Sequence, residues 1–179
     1  MRFFLCLSFL LFVGSVSAKV FLTQNEALKL AFPDLVVERH SLFLDQNTVQ
    51  AIEKMARSKV DSQLVNYYVG RGTQGVVGYA FFQTHIVRTM PETLMVVVHP
   101  DGRIKFVEML AFNEPQDYLP PKRWFQLFLD RKSDGSLWVK RDIRNVTGAT
   151  LTTQAVTEAV RRVLAIYEVT IKGKGATAK

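Results

Sequence analysis

The apolar positions change their spacing several times along the chain. Phe3 to Val13 form a nearly unbroken apolar run, with Ser8 as its one polar residue. Arg2 precedes the run, and Gly14-Ser15-Val16-Ser17-Ala18 follows it. Val16 and Ala18 stand at the −3 and −1 positions of a cut before Lys19. This order predicts a secretory signal peptide over residues 1–18. A membrane-spanning helix needs roughly 20 apolar residues, so a retained anchor is the weaker reading. Cys6 lies too early in the run to be a lipidated cysteine.

Beyond the leader, helical spacing predicts a short helix over Asn25 to Phe32, stopped by Pro33. A second is predicted over Asn47 to Ser58, capped by Asn47 or Thr48, with Val49, Ile52, Met55 and Ala56 on one face. Residues 19–62 thus read as an N-terminal helical segment. From Gln63 the texture turns to Val, Tyr, Phe and Met. Strands are predicted over Gln63 to Val69, Gly75 to Gln83, Thr93 to His99 and Ile104 to Ala111, with Gly70-Arg71-Gly72 and Pro100-Asp101-Gly102 as turns. Pro120-Pro121 opens a helix crowded with Trp124, Phe125 and Phe128. Leu137 to Lys140 reads as a short strand. Thr152 to about Tyr167 carries Ala155, Val156, Ala159, Val160, Val163 and Leu164 at helical spacing, with Arg161 and Arg162 outside the stripe. The fold class is α+β, a twisted, mainly antiparallel sheet flanked by helices. Residues 63–170 form the main domain, and 171–179 a disordered basic tail.

Composition narrows the chemistry. The chain has 179 residues, a net charge of +7, one cysteine and three histidines. Without the leader no thiol remains, and 22 basic residues face 16 acidic ones, giving +6. Disulfide scaffolds, structural zinc and iron–sulfur or haem attachment motifs are excluded on residue counts and spacing. On an exported chain the positive charge suits an anionic membrane, an acidic partner or a phosphate-bearing ligand, and nucleic acid is not expected as a partner.

Thr147-Gly148-Ala149-Thr150-Leu151-Thr152-Thr153 stands immediately before the last helix. Small residues admit a ligand close to the backbone, and a helix start favours an anion. The stretch is a candidate phosphate site. The simpler alternative is that Thr150 or Thr152 caps the helix.

Thr147-Gly148-Ala149-Thr150 resembles the Ser/Thr-Gly-Ala-Thr flavinylation motif of the FMN-binding domain family, which includes the C subunit of the sodium-pumping NADH:quinone reductase and the G subunit of the Rnf complex. Similar context surrounds it: Leu151 to Val156 downstream, Gly78-Tyr79 in a strand, Val98 to Val107 as a hairpin, Asn113-Glu114-Pro115 as a loop, and Pro121 to Phe128 as a helix. The resemblance implies FMN held covalently through a phosphoester on Thr150, attached by a dedicated flavin transferase that splits FAD. It also implies that Thr147, Gly148, Ala149, Leu151, Thr152, Glu114 and Trp124 bind the cofactor. No residue is assigned a catalytic role. One departure stands out: the family commonly has an acid six positions before the acceptor threonine, where this chain has Arg144, its nearest acid being Asp142. The expected role is an exported, periplasmic electron carrier serving a cytochrome or a quinone-linked membrane complex. The alternative is an exported binding module of the same fold without covalent flavin, which Arg144 favours.

Overall fold

The computed structural model describes residues 19–135 and 137–172. The expected leader, and the tail beyond Lys172, lie outside the described residues.

Six strands form one open antiparallel sheet: β1 (Lys19–Val20), β2 (Val36–Phe43), β3 (Leu64–Gly72), β4 (Gly75–Val87), β5 (Met90–Val98) and β6 (Ile104–Phe112), in the order β1-β6-β5-β4-β3-β2. The helices are α1 (Gln24–Ala31), α2 (Gln46–Ala56), the short α3 (Lys122–Phe125) and α4 (Thr150–Ile166), which runs on into a π-helical turn, Tyr167–Lys172. The architecture is α+β, as the spacing predicts.

The inner strands of the sheet are buried on both faces. Leu94, Val96 and Val98 of β5 face one core with α2 and α4, and Met95 and Val97 face the other with Ala27, Ala31 and Phe32 at α1. Alternating positions of one strand therefore feed both cores, which explains the continuous apolar run Met95 to Val98. Residues 99–103 close the β5–β6 hairpin: the His99 amide donates to the Arg103 carbonyl at 2.7 Å, and Gly102 sits at φ +87°.

Several elements differ from the expectation. The segment 19–62 is not purely helical, because Val36–Phe43 pairs along its whole length with β3. It is an edge strand with little burial on either face, so it lacks a strong apolar alternation. Gly70-Arg71-Gly72 does not turn; it lies within β3, with a bulge between Gly70 and Arg71, and the chain reverses at Thr73-Gln74. The glycines meet another need: Gly70 and Gly78 pair across β3 and β4 beneath the Phe32 ring, where a β-carbon would collide.

Leu137–Lys140 makes only a single bridge, Val139 to Ile143, inside a tight loop. The cap of α2 is Asp45, not Asn47 or Thr48; its carboxylate accepts from the Thr48 amide at 2.7 Å. Arg162 is 7% exposed rather than on an outer face. Its guanidinium donates to the carbonyl of Lys59 and the side chains of Gln83 and Ser58, tying α4 to the chain after α2. Ile171 is buried and Lys172 pairs with Glu168, so both continue the last helix.

Candidate functional site

The motif loop leads straight into α4, and its backbone depends on Gly148. That residue has φ +87°, a left-handed conformation, and an added β-carbon would stand 3.6 Å from the Asp117 carbonyl. Ala149 is the N-cap residue and is buried; it offers no capping side chain. Neither Thr150 nor Thr152 caps the helix. The first backbone bond of α4 runs from the Thr153 amide to the Ala149 carbonyl at 2.9 Å, leaving the amides of Thr150, Leu151 and Thr152 without an acceptor among the described residues. By contrast, Thr23 closes α1 with a capping box and Asp45 closes α2.

Thr150 is half-buried at the first position of α4, between exposed Thr147 and Gly148 on one side and Leu151, 45% exposed, on the other. The Asn145 side-chain amide donates to the Thr150 hydroxyl at 3.1 Å, and the Asn145 carbonyl oxygen accepts from the Thr153 hydroxyl at 2.7 Å. One asparagine thus fixes the hydroxyl's direction. Thr152 is fully inside: its hydroxyl donates to Glu92, a carboxylate with no exposure, whose other oxygen meets His85 Nε2 at 3.3 Å. This buried Thr152–Glu92–His85 chain pins the first turn of α4 to the β4–β5 hairpin.

Glu114, Arg88 and Tyr118 line a narrow depression together with Gly148, Leu151 and Thr152. Glu114 is 8% exposed. Its Oε1, together with Asn113 Oδ1 and His85 Nδ1, is buried without a hydrogen-bond partner. Buried polar atoms normally find partners, and an orphan is a mark of an unfilled interaction. Here the orphans fall on the loop beside the motif and on the buried chain beneath it. A carboxylate oxygen and an amide oxygen both accept, so the missing partner is a donor such as a ribityl hydroxyl or a ring N–H.

Trp124 takes a different place. It is buried against Phe125 and Phe128 at ring distances of 5.2 and 5.1 Å, and its indole N–H donates to the Arg144 carbonyl at 2.6 Å. It anchors the loop that leads to the motif. Phe125 lines a separate apolar groove with Phe106, Met109, Leu119 and Leu129. The Arg144 side chain is exposed. Asp142 accepts from the Trp138 amide and from Arg141, which folds it into its own loop.

Sequence reasoning missed Glu92, Asn145 and Arg88. Only Asn145 carried a local signal, five residues before an acceptor hydroxyl. Glu92 and Arg88 reach the motif through strand pairing. Among the described residues, no three His, Cys, Asp or Glu side chains cluster as a metal site, and no helix is long and apolar enough to cross a membrane.

Comparison with known proteins bears on this same region. No curated protein matches the chain. Residues 90–165 match the family model of the FMN-binding domain. The matched span holds Glu92, Glu114, Trp124, Asn145 and the whole motif, whereas His85 and Arg88 lie just upstream of it. Through this segment, which spans less than half of the chain, the protein is similar to the FMN-binding domain, a domain that takes FMN as cofactor.

Proposed function

We propose that this protein is an exported electron-transfer flavoprotein carrying FMN covalently through a phosphoester on Thr150. The observation that carries the reading is the uncapped start of α4, where Asn145 orients the Thr150 hydroxyl and the neighbouring Gly148, Leu151 and Thr152 share a depression with Glu114, whose Oε1 is buried without a partner. Free amides at a helix start bind an anion, and the acceptors of Asn113 and Glu114 suit a polyhydroxy chain. The donor set therefore fits a ribityl phosphate.

Attachment is a group transfer without redox change. The Thr150 oxygen forms a bond to the phosphorus of FAD nearest the riboflavin, the phosphoanhydride bond breaks, and AMP leaves as the hydroxyl gives up its proton. A threonine hydroxyl is a weak nucleophile at neutral pH, so a transferase must activate it. Within this chain, Asn145 aims the Thr150 hydroxyl, and the amides of Leu151 and Thr152 would hold the charge of the diester. When bound, FMN supplies one- and two-electron transfer, while the protein supplies position and electrostatics. A tethered cofactor suits an exported carrier, which would otherwise lose it by diffusion. The signal-peptide pattern of residues 1–18 supports export, and a cytochrome or a quinone-linked membrane complex is the kind of redox partner expected.

A binding module without covalent flavin is the alternative, favoured by Arg144 at the position where the family commonly has an acid. Co-expression with a flavin transferase, followed by denaturation and desalting, separates the two. Yellow absorbance that stays with the polypeptide is expected. A colourless polypeptide, with flavin in the small-molecule fraction or absent, contradicts the covalent reading.

A further inference from the structure

Arg88 is an unusual residue for its place. Val87 pairs with Met90, so Arg88-Thr89 is the two-residue turn of the β4–β5 hairpin. Its φ is +54°, in the left-handed region that glycine and asparagine supply at such turns. An arginine there is strained, and strain of this kind concentrates at functional positions. Turn formation does not explain the choice.

The side chain is also unusual. The guanidinium lies 4.0 Å from the centroid of the Tyr118 ring, and no carboxylate of the described residues pairs with it. Yet Arg88 and Glu114 line the same depression beside the motif. Glu114, in its lining, and Glu92, bonded to the Thr152 hydroxyl and to His85, are both buried acidic side chains. A phosphate at the start of α4 would bring an anion into this acidic neighbourhood. The helix terminus offers only about half a positive charge.

We infer that Arg88 is the countercharge of the cofactor phosphate, its guanidinium moving from the Tyr118 ring to the phosphate held at the first turn of α4. This rests on the reading of Thr150 as the flavin site. A cation–π contact is weaker than a charge-assisted pair between guanidinium and phosphate, so the exchange is favourable. The hairpin tip is exposed, which leaves the side chain free to move.

The test compares FMN with riboflavin, which lacks only the phosphate. Binding of each is measured by fluorescence on the chain made without transferase, as wild type, Arg88→Gly and Arg88→Lys. The wild type is expected to prefer FMN by about tenfold. Arg88→Gly should lose that preference while keeping its riboflavin affinity, and its thermal midpoint should hold or rise, because glycine accepts this φ. Arg88→Lys should keep most of the preference. A wild type with no FMN preference, or an Arg88→Gly chain that retains it, overturns the inference while covalent loading of the wild type still stands. A wild type that takes up no flavin on co-expression overturns the functional reading instead.

Discussion

The hydroxyl of Thr150 is held by Asn145 and left out of helix capping, so the residue is oriented yet free to react. Asn145→Ala removes both the bond to Thr150 and the one from Thr153. The expected result is flavin attachment slowed severalfold, with a stability loss of only about 1 kcal/mol, read by a time course of covalent loading beside a urea titration. Trp124 makes the complementary case. Trp124→Phe keeps an aromatic ring in the core but leaves the Arg144 carbonyl without its donor. We expect a loss of about 1–2 kcal/mol, checked by thermal unfolding. The motif residues were legible because glycine, alanine and threonine before a helical stripe have local meaning. Glu114 was legible only through resemblance to a family loop. Glu92 and Arg88 were not legible, since their partners lie far away in sequence: Thr152 is 60 residues from Glu92.

Two elements hold the motif in place, the β4–β5 hairpin and the start of α4. Their positions depend on how closely α1 meets the sheet. Phe32 lies over Gly70 and Gly78, and a β-carbon on Gly78 would stand 3.0 Å from the Val98 carbonyl. Gly78→Ala should therefore destabilise the fold by about 1–3 kcal/mol, the usual range for overpacking, and shift the urea midpoint accordingly. The glycine before Tyr79 was visible in the sequence as part of a family pattern, and the structure supplies its physical reason. Strands β3 to β6 were legible within a few residues, because their apolar runs are long and Pro100-Asp101-Gly102 marks the β5–β6 turn, whereas the Thr73-Gln74 and Arg88-Thr89 turns contain neither glycine nor proline. Strand β2 was not, because an exposed edge strand holding Glu38, Arg39 and His40 has no core face to announce it.

Across the whole molecule, α4 is the central post. Arg161 reaches the carbonyls of Ala56 and Leu137 and lies 4.1 Å from the Trp138 ring, while Arg162 closes the other side. At the far end of α4 and its extension, Tyr167 packs at a tilt against Tyr79, which adjoins Tyr67, and its hydroxyl donates to the Pro100 carbonyl at 2.6 Å. Burial raises the pKa of all three phenols, that of Tyr167 to about 12, with neighbouring Tyr79, Glu168 and Asp101 adding to the shift. The folded state therefore keeps phenolic protons that the unfolded chain releases above about pH 10. This stabilisation is fully present below that pH and is lost as pH rises toward 12. The denaturation midpoint should fall over this interval, and the fall should be shallower in Tyr167→Phe. None of this was legible in residue spacing, which placed Tyr167 at a helix end without its partners.

Whether Thr150 is the tether of FMN is decided by peptide mass spectrometry of the chain co-expressed with a flavin transferase. The peptide containing Thr147 to Thr153 is expected to gain the mass of FMN less one water, with fragmentation placing it on Thr150, and Thr150→Ala is expected to carry none. An unmodified peptide in the wild type, or the same adduct persisting in Thr150→Ala, would contradict it.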